Sequence, residues 1–387
     1  AETVSVPHTW NVKDATQHHY GLAWYQRALP IPANWKNKRV KLVFGAINHS
    51  SYFYINGKKV GERVGDGFNK IELEITPHIT AGTSNVLTVL VNNDYGKEKV
   101  PFGNSFDWPN DGGIIREVYM IATDLNGAER IWARPELNVA NNSGTLNLRI
   151  DFPAVQRDVK LEVSLTEENQ ASTKNVYKKV ITPTWAGNSA GMVLHIDKVN
   201  PWHFDFPNLY RIDVRVLKGN KVLDRISATT GFRKIELKDG KYFLNGESVK
   251  LMGVEWTAGS NPDIGFAESK EDIRGNVRRM KDVNAILTRI HLQQDDLFYE
   301  LCDRWGILVQ AEIPLWGGET PADSSIDKYT RSQIDLMIKN LYNHPSIFAW
   351  GAGNELRGRD AEMKKSIEGW VNYLRKQDPS RAATYVS

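Results

Sequence analysis

Cysteine is nearly absent: Cys302 is the only one in 387 residues. No intramolecular disulfide can form. That leaves the compartment open, and a periplasmic or secreted bacterial location is favoured over a cytoplasmic one, since such proteins often manage without disulfides. No run of about 18 apolar residues occurs, so no membrane-spanning helix is expected. Ala1 to Trp10 has neither the basic start nor the apolar core of a signal peptide. An excess of one charge is lacking too. The 49 basic and 46 acidic residues leave a formal net charge of +3, and no block of like charge stands out. Neither nucleic acid nor an anionic membrane is indicated as a partner.

What is present is an ordinary globular balance, with 41% hydrophobic and 25% charged residues. The length favours two or three domains. Aromatic residues make up 10%, including 12 Trp. Their faces suit stacking on pyranose rings, but most are expected to fill cores.

Residues 1–124 read as all-β. Val40–Phe44, Tyr52–Ile55, Ile71–Ile75 and Val86–Val91 are strand candidates, and Asn56-Gly57 is a hairpin signal. Regular short strands with turn punctuation predict a jelly-roll sandwich. Residues 125–235 repeat the style, with Leu137–Val139, Leu146–Ile150, Leu161–Leu165 and Ile212–Leu217 as strands and Asn141-Asn142-Ser143-Gly144 as a turn. An immunoglobulin-like β-sandwich fits, without a Cys pair to mark it.

From residue 236 the pattern alternates strand and helix. Lys250–Trp256, Ala285–His291, Ile307–Ile313, Ile347–Ala352 and Ala383–Val386 read as strands. Helices are predicted over Ser269–Lys281 (Ser269 as N-cap, Asp272 three residues on), from Asp296, over Asp327–Tyr342 and over Asp360–Gln377. Such alternation implies parallel strands with crossover helices. Four strands and the start of a fifth can be counted, and a closed (β/α)8 TIM barrel needs eight. An open five-stranded sheet is the alternative. A barrel truncated inside its fifth strand would leave an apolar edge unpaired, so the natural protein is expected to continue past Ser387. The run Ile347-Phe348-Ala349-Trp350-Gly351-Ala352-Gly353-Asn354-Glu355 puts an Asn-Glu pair at the C-terminal end of a buried strand. Parallel α/β barrels keep their chemistry there.

With these domains in order, several short motifs gain meaning. Val6-Pro7-His8-Thr9-Trp10-Asn11, Tyr25-Gln26-Arg27, Ile55-Asn56-Gly57 and Gly112-Gly113-Ile114-Ile115-Arg116-Glu117-Val118 lie in the first domain. Pro207-Asn208-Leu209-Tyr210 and Gly231-Phe232-Arg233 close the second. Phe243-Leu244-Asn245-Gly246, Leu251-Met252-Gly253-Val254 and Leu301-Cys302-Asp303-Arg304-Trp305-Gly306-Ile307 lie in the third. In this order and spacing the chain resembles glycoside hydrolase family 2, the family of β-galactosidases, β-glucuronidases and β-mannosidases, over nearly its whole length.

The resemblance implies a retaining exo-β-glycosidase, with terminal β-galactosides the first substrate class and β-glucuronides and β-mannosides the alternatives. It places the general acid/base on Glu355 and a sugar 2-hydroxyl contact on Asn354. An acid must protonate the glycosidic oxygen and later take a proton from water. A capping role at the next helix is the structural alternative for Glu355. His291 falls where the family has a substrate-contacting His. The family more often shows His-Tyr-Pro with an Arg three residues before the His, and here those places hold Leu292, Gln293 and Thr288. Arg289 is the available substitute for the Arg, but at a neighbouring strand position it is expected to point the other way. Glu312 and Trp316, after the third strand, are further substrate-side candidates, with an ion pair as the alternative for Glu312. Glu255 ends the first strand where many relatives carry Asn. Asp107, with Trp108, lies in a long first-domain loop that reaches the active site in some relatives. His344 is expected to be structural.

The family's nucleophile is a second Glu near the end of the seventh strand, expected beyond Ser387. No cofactor is required, and Mg²⁺ or Na⁺ is possible by resemblance with unknown ligands. The partner is a small-molecule or oligosaccharide substrate, and a homo-oligomer is implied by resemblance alone. Two competing classes are a non-catalytic carbohydrate-binding protein derived from the family and a metal-dependent barrel hydrolase. For the latter, His291, Glu312 and Glu355 are too scattered.

Overall fold

The computed structural model describes residues 2–96, 100–102, 109–156, 158–168 and 173–387. In the N-terminal part, a four-stranded antiparallel sheet has the order Leu22–Pro30, Ser84–Asn92, Ser50–Ile55, Lys58–Arg63. A three-stranded sheet has the order Ile71–Glu74, Lys38–Phe44, Val118–Asp124. Alternate residues of both point inward, so Leu42, Phe44, Phe53, Val89 and Val91 form one core. Asn56 and Gly57 both take positive φ, 50° and 77°, which makes the two-residue turn between paired strands.

The middle part also has two antiparallel sheets, each four-stranded. Leu146, Leu148 and Ile150 of Ser143–Asp151 face Leu161, Val163 and Leu165 of Lys160–Glu168 across a second core. The strand expected over Leu137–Val139 is longer, Arg130–Asn138, and lies at a sheet edge. Edge position is what tolerates Pro135 within it.

Beyond a small antiparallel sheet come five parallel strands in sequence order: β1 (Gly253–Glu255), β2 (Leu287–Ile290), β3 (Leu308–Glu312), β4 (Ile347–Asn354) and β5 (Ala382–Val386). Helices α1 (Lys270–Asp282), α2 (Asp296–Trp305), α3 (Ser324–Leu341) and α4 (Ala361–Gln377) connect them. Only Gly253–Glu255 of the strand expected over Lys250–Trp256 is regular. Ser269 and Asp272 form the expected reciprocal cap of α1. Asp295, Asp323 and Asp360 cap the other helices, each accepting from backbone N–H groups of the first turn. The helices cover one face of the sheet, burying Ile290, Val309, Ala311, Trp350 and Ala352 against Phe298, Ile334, Met337 and Trp370. Among the described residues no helix is long and apolar enough to cross a membrane.

Two seams fix these parts together. The N-terminal part meets the sheet near its C-terminal end. There Asn69 donates to Gln333 at 2.7 Å, Arg116 donates to the carbonyls of Phe68 and Gln293, and Phe266 N–H donates to Asp111 at 3.1 Å. The middle part meets the opposite end. Arg130 donates to the Lys339 carbonyl at 2.8 Å, and Asn343 exchanges hydrogen bonds with Ala133 and Ile131 at 2.9 and 2.8 Å. His344 is structural as expected: it pairs with Asp303 at 2.6 Å beneath β4, and Asp303 also accepts from Ser346 N–H.

Asp111 offers a pH-dependent test of the first seam. Burial pushes its pKa from 3.8 to about 6, and one backbone hydrogen bond offsets only part of that. A raised carboxyl pKa means the folded state holds the proton more tightly. Stability is therefore lost as pH rises from about 4 to about 6 and is flat above. Asp111→Asn should stabilise the fold above pH 7, by up to about 3 kcal/mol, and much less below pH 4. Thermal unfolding at both pH values checks this; equal shifts at the two would contradict it.

Candidate active site

The C-terminal ends of β1 to β4 bring the candidate residues together. Register sets the arrangement. Glu255 lies opposite Arg289, and Arg289 opposite Gln310. In-register residues of parallel neighbours point to the same face, and so do residues two apart along one strand. Glu255, Arg289, His291, Gln310 and Glu312 therefore share the face away from the helices.

Arg289 is the hub, contrary to the expectation that it would point away. Its Nε and Nη2 donate to the two carboxylate oxygens of Glu312 at 2.7 and 3.0 Å. Nη2 also donates to Asn354 Oδ1 at 2.7 Å, and Nη1 to Glu255 at 3.2 Å. Burial works against the Arg289 charge, but the carboxylates of Glu312, Glu255 and Glu355 more than offset it and raise its pKa. The fork-to-fork pairing with Glu312 is the strong, directional form of an ion pair. The residue that matters for orientation was Thr288's neighbour: position 289 has the parity of His291, and that signal was available in the sequence.

Glu312 is fully buried. Besides Arg289 it accepts from Gln310 at 2.6 Å. These contacts match the ion-pair alternative for Glu312. Gly351 lies opposite Glu312 in β4, and a Cβ there would collide with the Glu312 side chain, so the close approach requires glycine. His291 is buried; its Nε2 contacts the Glu255 carboxylate, and its Nδ1 stands 3.7 Å from Glu312.

Asn354 ends β4 and is 6% exposed. Its N–H donates to the Leu315 carbonyl at 2.9 Å, and its Oδ1 is held by Arg289. With Oδ1 accepting from Arg289, the amide nitrogen is the side-chain group left to donate. Glu355 follows with φ +49°, its N–H bonded to the Val386 carbonyl at 2.9 Å. This left-handed turn takes the chain off the strand, and Glu355 is exposed where its neighbours are buried. Trp316 bridges to Asn354 and rests on a cluster of Ala46, Phe68, Ile115, Ala258, Phe266 and Leu292. The N-terminal part thus supports the rim of the site. Asp107, with Trp108, lies outside the described residues. No group of three or more His, Cys, Asp or Glu that could hold a metal occurs among the described residues.

This geometry can be set against known proteins. Residues 1–124 match the model "Glycosyl hydrolases family 2, sugar binding domain", residues 128–233 the model "Glycosyl hydrolases family 2", and residues 235–387 the model "Glycosyl hydrolases family 2, TIM barrel domain". The chain belongs to glycoside hydrolase family 2. Among curated relatives, a β-glucuronidase of Bacteroides fragilis is 27% identical, over 99% of this chain and 58% of its own length. A β-galactosidase of Thermoanaerobacter pseudethanolicus is 26% identical, over 100% of this chain and 52% of its own. The crystal structure of a Bacteroides uniformis β-glucuronidase superposes with a TM-score of 0.83 at 28% identity, covering 99% of this chain and 49% of that one. The chain spans about half the length of the relatives it matches. The family 2 architecture, with sugar-binding, immunoglobulin-like and TIM-barrel domains, is therefore that of this chain.

Proposed function

We propose that the protein is a retaining exo-β-glycosidase whose general acid/base is Glu355. The observation that carries this reading is an exposed carboxyl on a left-handed turn directly after an amide locked by Arg289, at the C-terminal end of the fourth parallel strand. Glu355 would protonate the glycosidic oxygen as the C1–O bond breaks. It would then take a proton from the water that hydrolyses the glycosyl-enzyme. Asn354 Nδ2 would donate to the sugar 2-hydroxyl.

The second carboxyl of this mechanism must sit about 5 to 5.5 Å from the first. Glu312 does not serve, because Arg289 and Gln310 hold it inside the protein. In this reading the five strands are the first part of an eight-stranded barrel, and the nucleophile is a Glu of the seventh strand, outside the given sequence.

For the sugar itself, the charge of the site supports a neutral ring such as a β-galactoside. Glu255, Glu312 and Glu355 gather there, and Arg289 is already shared by two of them. The names of the relatives favour β-glucuronides as a second reading. Hydrolysis of a panel of aryl β-galactosides, β-glucuronides and β-mannosides by the full-length gene product tests both. Highest kcat/KM on the galactoside supports the first reading and on the glucuronide the second. No turnover of any β-linked sugar would leave a carbohydrate-binding protein in place of an enzyme.

A further inference from the structure

A cleft with a volume of about 520 Å³ opens at the other end of the molecule. Helices of this fold run back against their strands, so the C-termini of α3 and α4 mark the end where strands begin. Lys339 and Tyr342 near the end of α3, and Gln377 ending α4, form one wall. Glu355 follows the opposite end of β4, so this cleft is separate from the site above. The other wall is the outer face of the middle sandwich. Trp132 lies opposite Arg149 and Arg134 opposite Asn147 in the paired strands Arg130–Asn138 and Ser143–Asp151, which puts all four on one face.

Among the side chains that line the cleft, cations outnumber carboxylates. Arg134, Arg149 and Lys339 line it against a single carboxylate, Asp335, which accepts a hydrogen bond from Tyr373 at 2.8 Å. Arg149 stacks on the Trp132 ring at 4.3 Å and pairs through Nε with Asp151 at 3.2 Å, and Asp151 also takes the Trp132 indole N–H at 2.6 Å. Tyr342 meets the same indole edge-on at 5.2 Å. Arg134 is only partly satisfied. One terminal nitrogen approaches Glu136 at 3.3 Å, while its Nε is buried without a hydrogen-bond partner among the described residues. Lys339 reaches no carboxylate closer than Glu72 at 3.9 Å. Burial above all, with Arg130, Lys41 and Arg63 around it, depresses its pKa despite Glu72. Two guanidinium groups, an ammonium whose nearest carboxylate is 3.9 Å away, two amides and two aromatic rings match a ligand that is both anionic and ring-bearing. The volume is that of a small-molecule site.

We propose that this cleft is an accessory binding site for a saccharide carrying carboxylate or sulfate groups. It would hold an acidic part of a glycan away from the strand-end site, whichever terminal sugar that site removes.

Calorimetric titration of the full-length gene product tests this, with a short oligogalacturonide, a short sulfated carrageenan oligosaccharide and a neutral xylo-oligosaccharide as probes. One or both acidic probes should bind, more weakly at high salt, and the neutral one should not. The two acidic arms tell carboxylate from sulfate. Arg134→Gln and Lys339→Met should each weaken that binding about tenfold, the size of one lost charge-assisted hydrogen bond. Unfolding midpoints and any turnover of small aryl glycosides should stay unchanged. The variants lie on separate elements, so misfolding of one leaves the other informative. Binding of neither acidic probe, equal binding of the neutral one, or affinities within about twofold of wild type in both variants would overturn the proposal.

Discussion

Glu355→Gln is expected to slow hydrolysis of glycosides with poor leaving groups by about a hundred- to ten-thousand-fold, the usual share of a general acid. Activated aryl glycosides, whose leaving groups need little protonation, should lose far less in their glycosylation step. The alkaline limb of the kcat/KM profile, which reports loss of the acid's proton, should disappear with the carboxyl. These outcomes belong together, because glutamine keeps the size and the turn but can neither give nor take a proton. Equal losses on both substrate classes would remove Glu355 from the acid role. It would then be a surface glutamate near the start of the following loop.

Arg289→Met should have the largest effect on stability. It removes the cationic partner of Glu312 and leaves that fully enclosed carboxylate charged, which typically costs about 3 to 5 kcal/mol. Adding Glu312→Leu should restore much of that loss, since an apolar pair of similar volume often replaces a buried ion pair at little cost. Activity should not return with stability, because Asn354 would still lack the donor that fixes its amide. Denaturant unfolding and kcat for wild type, single and double variants form the test. A double variant no more stable than Arg289→Met alone would show that Arg289 acts by packing and not by neutralising Glu312.

The elements most legible in the sequence were those with strong periodicity. Leu146 to Ile150 alternates and is buried on alternate residues. The apolar run Ile347–Asn354, just before Glu355, forms a strand buried throughout. Strands without an apolar face gave no such signal. Thr173–Ile181 is a lysine-rich edge strand with no fully buried residue, and Pro135 interrupted the pattern of Arg130–Asn138. In the site, the grouping of Glu255, His291 and Asn354 followed from their places at strand ends. Which carboxylates face outward did not, because that depends on the partner of Arg289. Gln310 was missed for the same reason: only the inter-strand register shows that it shares a face with Arg289 and Glu312.

The left-handed backbone at Glu355 also bears on how such a protein would decay. A residue with a Cβ is held there against a penalty of about 1 to 2 kcal/mol, which glycine would not feel. A lineage released from selection for turnover would therefore gain thermal resilience by exchanging this glutamate for glycine. Persistence of the acidic residue among sequenced descendants would be a fossil-like record of enzymatic use.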